Sequence, residues 1–175
     1  MLVMERMIFM GANTPDGFTG FYDQIQKNYN LKKFYVLKGP GGSGKSTFIK
    51  KFVKKLGSTQ VEWLVCSGDP KSMDGAIMHD IGIAIVDGTE PHVVNSGDII
   101  NLWKFVDDGI DIYKYKKQKT KYYKLAYKYL GKARHAHNQI EDAYKGRVNF
   151  KEIDKLLEQV IMEHAINTKT NSQGT

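Results

Sequence analysis

Cysteine is nearly absent: Cys66 is the single one in 175 residues. No intrachain disulfide can therefore staple the fold, and no C-x-x-C pair offers a redox or zinc site. A reducing, cytoplasmic compartment is the expectation that follows. Long apolar runs are missing as well. The opening stretch from Met1 to Met10 is apolar but is interrupted by Glu5 and Arg6, which makes it too short and too charged for a signal peptide. No other run approaches the ~18 apolar residues of a membrane-spanning helix, and no internal repeat is evident. What remains is a composition of 41% hydrophobic and 26% charged residues, that of a soluble chain with one hydrophobic core.

Acidic residues are scarce in one region above all. Residues 111–134 carry nine basic side chains (Lys114, Lys116, Lys117, Lys119, Lys121, Lys124, Lys128, Lys132 and Arg134) against Asp111 alone, a local balance of +8 in a chain whose net charge is +7. Six tyrosines from Tyr113 to Tyr129 are interleaved with them. Basic side chains alternating with aromatics suit single-stranded nucleic acid, whose phosphates and bases they can meet. They equally suit a solvated helix face whose tyrosines pack on a partner helix or a second copy.

Glycine is concentrated where chemistry needs it. The segment Gly39-Pro40-Gly41-Gly42-Ser43-Gly44-Lys45-Ser46 fits G-x-x-x-x-G-K-S/T, follows the apolar run Phe34–Leu37 and precedes an amphipathic stretch with Phe48, Phe52, Val53 and Leu56 on one side. Strand, glycine-rich turn and helix are the context in which backbone amides curl around a β-phosphate and the helix adds its positive end. In such a loop Lys45 reaches the β- and γ-phosphates, Ser46 offers its hydroxyl to Mg²⁺, and Thr47 lies near the α-phosphate.

Asp87 ends the apolar run Ile81–Val86 and is the second candidate Mg²⁺ ligand. Two familiar companions are lacking. Gly88, not glutamate, follows Asp87, and position 90 is Glu90 where a D-x-x-G turn would have glycine. Glu90 and His92 are candidates to polarise water or an acceptor hydroxyl, and Asp69, at the end of the apolar run Val61–Cys66, to contact an acceptor or assist at the metal. Asp74 is a weaker candidate because Asp74-Gly75 also suits a turn. Asn13 and Thr14, after a short first strand, share the same rim if that strand is parallel to the others.

The remaining pattern predicts strands near residues 6–10, 34–37, 61–66 and 81–86, a turn over 11–17, a helix over 18–29, and a turn or single helical turn over 72–79. Ile99, Ile100, Trp103 and Val106 repeat at helical spacing. A long helix is expected from about Ile110 to Tyr144, a chain reversal near Gly146, and a last helix with Asn149 and Glu152 as a capping box. The fold class expected is α/β, a parallel sheet flanked by helices and followed by a helical hairpin, with a core over 1–97, the hairpin over 98–166 and a frayed tail over 167–175.

Residues 39–46 with Asp87 resemble the P-loop NTPase superfamily. The combination of Gly11-Ala-Asn-Thr14, Leu37–Thr47, Cys66-Ser-Gly-Asp-Pro70, Met73-Asp-Gly75 and Ala84–His92 is similar to a family of ATPase-like proteins from spore-forming and related Gram-positive bacteria, whose members carry two P-loop halves. The resemblance implies ATP and Mg²⁺ as ligands, with Asp69, Asp74, Asp87 and His92 inside family motifs. Four legible strands fall short of a complete P-loop sheet, so the resemblance also implies completion by a second half or by self-association. The activity expected is slow or partner-stimulated ATP hydrolysis; a small-molecule or nucleotide kinase, or a nucleotide-gated binding module, are the alternatives.

Overall fold

The computed structural model describes residues 4–107, 109 and 112–170, with side chains described through residue 163. Two compact units divide at residues 131 and 132. The first holds a mixed α/β fold built on a six-stranded sheet in the order β1-β5-β6-β7-β4-β8, with ranges β1 Met4–Ile8, β4 Lys33–Lys38, β5 Gln60–Cys66, β6 Asp69–Met78, β7 Ile83–Asp87 and β8 Asp98–Asn101. β1, β5, β7, β4 and β8 all run in one direction, whereas β6 is antiparallel to both of its neighbours. The sheet is therefore mainly parallel and flanked by helices, the arrangement of a P-loop NTPase-type fold.

Strand alternation builds a core on each face. Phe34, Val36, Leu64, Ile77, Ala84 and Val86 join Tyr22, Ile25 and Val94 on one side. Leu37, Val61, Val65, Ala76, Met78 and Ile85 join Ile49 and Val53 of helix α2 (Lys45–Leu56) on the other. Burial on both faces explains why these strands read as nearly continuous apolar runs. Because β7 pairs directly with β4, with Leu37 opposite Asp87, the acidic strand end lies beside the start of the glycine loop.

Several expected elements are different. The turn over 11–17 is a hairpin of β2 (Gly11–Thr14) and β3 (Gly17–Gly20), and the helix over 18–29 shrinks to a 3-10 turn at Tyr22–Gln24 and the one-turn α1 (Ile25–Asn28). Phe18, Tyr22 and Ile25 still pack on one core, which is why their spacing imitated a longer helix. Residues 72–79 are no turn: they fall largely in β6, which fills the gap between β5 and β7. Ile99 and Ile100 belong to β8, followed by a 3-10 turn over Leu102–Phe105, so the sheet continues beyond residue 97 and gains strands that a count of four missed.

The long helix is α3 (Tyr113–Tyr144), which runs from the first unit into the second; α4 (Phe150–Thr170) follows it. Ile110 and Asp111, where the helix and the basic tract were expected to begin, lie outside the described residues, as do residues 171–175 of the expected tail. Gly146 has a left-handed φ of 72° between the two helices, and Asn149 Oδ1 accepts a bond from the Glu152 amide at 3.4 Å. No helix among the described residues is long and apolar enough to cross a membrane.

Candidate nucleotide site

The loop from Gly39 to Gly44 leaves the end of β4 and turns directly into α2. Gly42 and Gly44 have φ of 85° and 84°, a region that side-chain-bearing residues rarely occupy, and Gly44 caps the helix from that conformation. Gly39 and Pro40 are buried at the loop base, while Gly41, Gly42, Gly44 and Thr47 are exposed. A Cβ at Gly41 would meet nothing within 4 Å, so the loop borders open space there. The Ser43 hydroxyl is buried without a hydrogen-bond partner among the described residues.

Lys45 is folded back on the loop. Its Nζ donates to the carbonyls of Gly39 at 2.7 Å and Pro40 at 2.8 Å, and stands 3.5 Å from Asp87 Oδ2. Ser46 Oγ accepts from the Met73 amide at 2.9 Å, tying the first turn of α2 to β6. Asp87 Oδ1 accepts from the Thr89 amide at 2.8 Å. Thr89 Oγ1 in turn accepts from the Gly39 amide at 3.1 Å and donates to the Gly39 carbonyl at 3.0 Å. Lys38, also at the end of β4, donates to the carbonyls of Gly88 and Val94. Sequence reasoning assigned no role to Thr89 or Lys38; their positions immediately beside Asp87-Gly88 and Gly39 were the available signal.

Asp74 is placed by an irregularity in β6. Leu64 of β5 faces Gly75 but Val65 faces Met73, so the pairing skips Asp74 as the extra residue of a bulge. Simple alternation would put Asp74 on the face of Ala76 and Met78. Instead Met73 joins their cluster, and Asp74 Oδ2 meets Tyr22, which belongs to the opposite face, accepting from its hydroxyl at 3.1 Å. His92 Nε2 lies 3.1 Å from the same oxygen. The imidazole is also held by ring contacts with Phe18 and Tyr22 at centroid distances of 5.1 and 4.8 Å. Burial first, and then the charge of Asp74, push the Tyr22 hydroxyl far above its ordinary value, so it serves as a donor across the whole working range.

The expected site residues thus separate. Lys45 stands beside Asp87, the ligand atoms of Asp87, Asp74 and His92 lie within 4.8 Å of one another, and Ser46 is tied to Met73, next to Asp74. Asp69 is exposed at the rim and accepts from the Lys71 amide at 3.1 Å, and Glu90 is exposed; neither belongs to the cluster. Asn13 does lie on the rim beside the end of β5, donating to Ser67 Oγ at 3.2 Å. Cys66 is half-buried, with its thiol pushed up first by burial, as an unreactive cysteine should be.

Residues 21–85 match the model of the KAP family P-loop domain. The matched segment contains the glycine loop, α2, β5 and β6, and supports assignment to the P-loop NTPase superfamily and nucleotide binding; Asp87 and His92 lie just beyond it. No curated protein and no solved structure matches the chain significantly.

Proposed function

We propose that this chain binds ATP, or another nucleoside triphosphate, with Mg²⁺ at residues 39–47, and that it hydrolyses the γ-phosphate slowly or when a partner stimulates it. The observation that carries this reading is the glycine loop itself, with two left-handed glycines, a buried and unpartnered Ser43 hydroxyl among the described residues, and Lys45 beside Asp87. The donor set fits the ligands: loop amides and Lys45 suit phosphate oxygens, and Ser46 with Asp87 suits a hard divalent cation. Mg²⁺ would neutralise charge on the β- and γ-phosphates.

Binding requires Lys45 to exchange the Gly39 and Pro40 carbonyls for phosphate oxygens. Slow turnover is supported by what the acid–base groups already do, since Glu90 is exposed and His92 is engaged with Asp74. A second reading, contact with nucleic acid through α3, draws on the exposure of Lys116, Lys117, Lys119 and Lys121 in a segment described without a buried residue.

The direct test is calorimetric titration of ATP and Mg²⁺ into the native chain and Lys45→Ala. Loss of triphosphate binding with an unchanged circular dichroism spectrum is the expected result. Equal affinity in the two proteins would overturn the assignment.

A further inference from the structure

We propose that Asp74, Asp87 and His92 form a binding site for a divalent first-row transition ion, a site that needs no nucleotide. Each residue presents one ligand atom, and these atoms all lie within 4.8 Å of one another. Atoms bonded to a single ion at about 2.1 Å stand roughly 3 to 3.5 Å apart. Asp74 and His92 already meet that spacing at 3.1 Å, so an approach of the Asp87 carboxylate completes it.

The environment favours a cation there. The side chains of Asp74 and His92 are 6% and 8% exposed and that of Asp87 14%, so two carboxylates face each other largely out of water. Lys45 neutralises only the Asp87 end, at 3.5 Å. Burying like charges together is costly unless a positive charge lies between them. A second observation points the same way: His92 Nδ1 is buried without a hydrogen-bond partner among the described residues, so the ring keeps a nitrogen that a bound ligand could satisfy. Tyr22, donating to Asp74, holds one carboxylate as the outer partner of a metal ligand would.

The donor set decides the class of ion. Mg²⁺ prefers oxygen ligands and keeps its waters, whereas an imidazole beside two carboxylates suits ions of the Mn²⁺ to Zn²⁺ series. The site joins the β6 bulge, the end of β7 and the segment carrying His92. It shares only Asp87 with the Mg²⁺ site proposed above.

Co²⁺ is the probe, titrated into the full chain without nucleotide, with calorimetric heat and visible absorption as readouts. The native chain is expected to bind one ion saturably and to develop an absorption band of nitrogen and oxygen ligation. Asp74→Asn and His92→Asn, each checked for folding by circular dichroism, are expected to weaken binding at least tenfold, while Lys45→Ala retains it. The Lys45 variant separates this claim from the phosphate-loop reading, because it should lose ATP and keep Co²⁺. Absence of saturable binding by the native chain up to millimolar Co²⁺ would overturn the proposal. So would undiminished affinity in a folded Asp74→Asn protein, which would place the ion on other histidines.

Discussion

Thr89 closes the base of the glycine loop with both polar functions of its side chain. Its hydroxyl joins the amide and the carbonyl of Gly39, and its own amide holds Asp87 Oδ1. Valine has nearly the same shape but can make neither hydroxyl bond, so Thr89→Val leaves a buried amide unpaired beside the loop. An unsatisfied buried group costs about 1–3 kcal/mol. The expected outcome is an unfolding free energy lower by that amount, read as a lower urea midpoint with an unchanged denaturant slope, together with weaker triphosphate binding. A stability equal to that of the native chain would show that the Gly39 amide finds another partner.

Among the elements, the connection between α2 and β5 is fastened by one exposed carboxylate. Asp80, just after β6, accepts from the Ser58 hydroxyl at 2.5 Å, from the Thr59 amide at 2.7 Å and from the Thr59 hydroxyl at 3.1 Å. These bonds, that from Ser58 foremost, lower its pKa to about 2 from the ordinary 3.8. A depressed carboxylate pKa stabilises the fold above the unfolded-state value and is lost as pH falls through the folded one. Asp80→Asn should therefore melt below the native chain at neutral pH, and the gap should close between about pH 4 and pH 2. A gap independent of pH would assign the effect to shape rather than charge. β4, the loop and α2 were legible because an apolar run, glycines and an amphipathic repeat are all local signals. β6 was not, because Asp69, Pro70, Lys71, Ser72 and Gly75 have little strand preference and its place is set by pairing with β5 and β7. The bulge that turns Asp74 toward Tyr22 is a consequence of that pairing, so a residue suited to a turn stands instead beside Asp87 and His92. β8 was hidden by its length, four residues being too few to display alternation.

Across the whole molecule, charges of opposite sign are set at different depths. The Asp74, Asp87 and His92 cluster is largely buried in the first unit, whereas the α3 lysines from Lys114 to Lys128, in the same unit, are exposed. Within the first unit, two tyrosines of α3 meet the rim: the Tyr127 hydroxyl donates to Asn13 Oδ1 at 3.1 Å, and a Cβ on Gly68 would meet the Tyr123 hydroxyl at 3.0 Å. Tyr115 and Tyr122 remain 67% and 64% exposed, enough surface for a base to stack on. Lys116, Lys117, Lys119 and Lys121 are exposed in the same stretch. If the helix binds single-stranded nucleic acid, replacing these four lysines with glutamine leaves up to four phosphates without a cationic partner. The logarithmic salt dependence of binding should then become shallower by about 0.7 for each phosphate no longer neutralised, or about 3 in all. Fluorescence anisotropy of a labelled oligonucleotide at a series of salt concentrations measures this. A native slope that the four substitutions leave unchanged would remove nucleic acid from the proposed partners of α3, and its tyrosines would then be assigned to packing against protein.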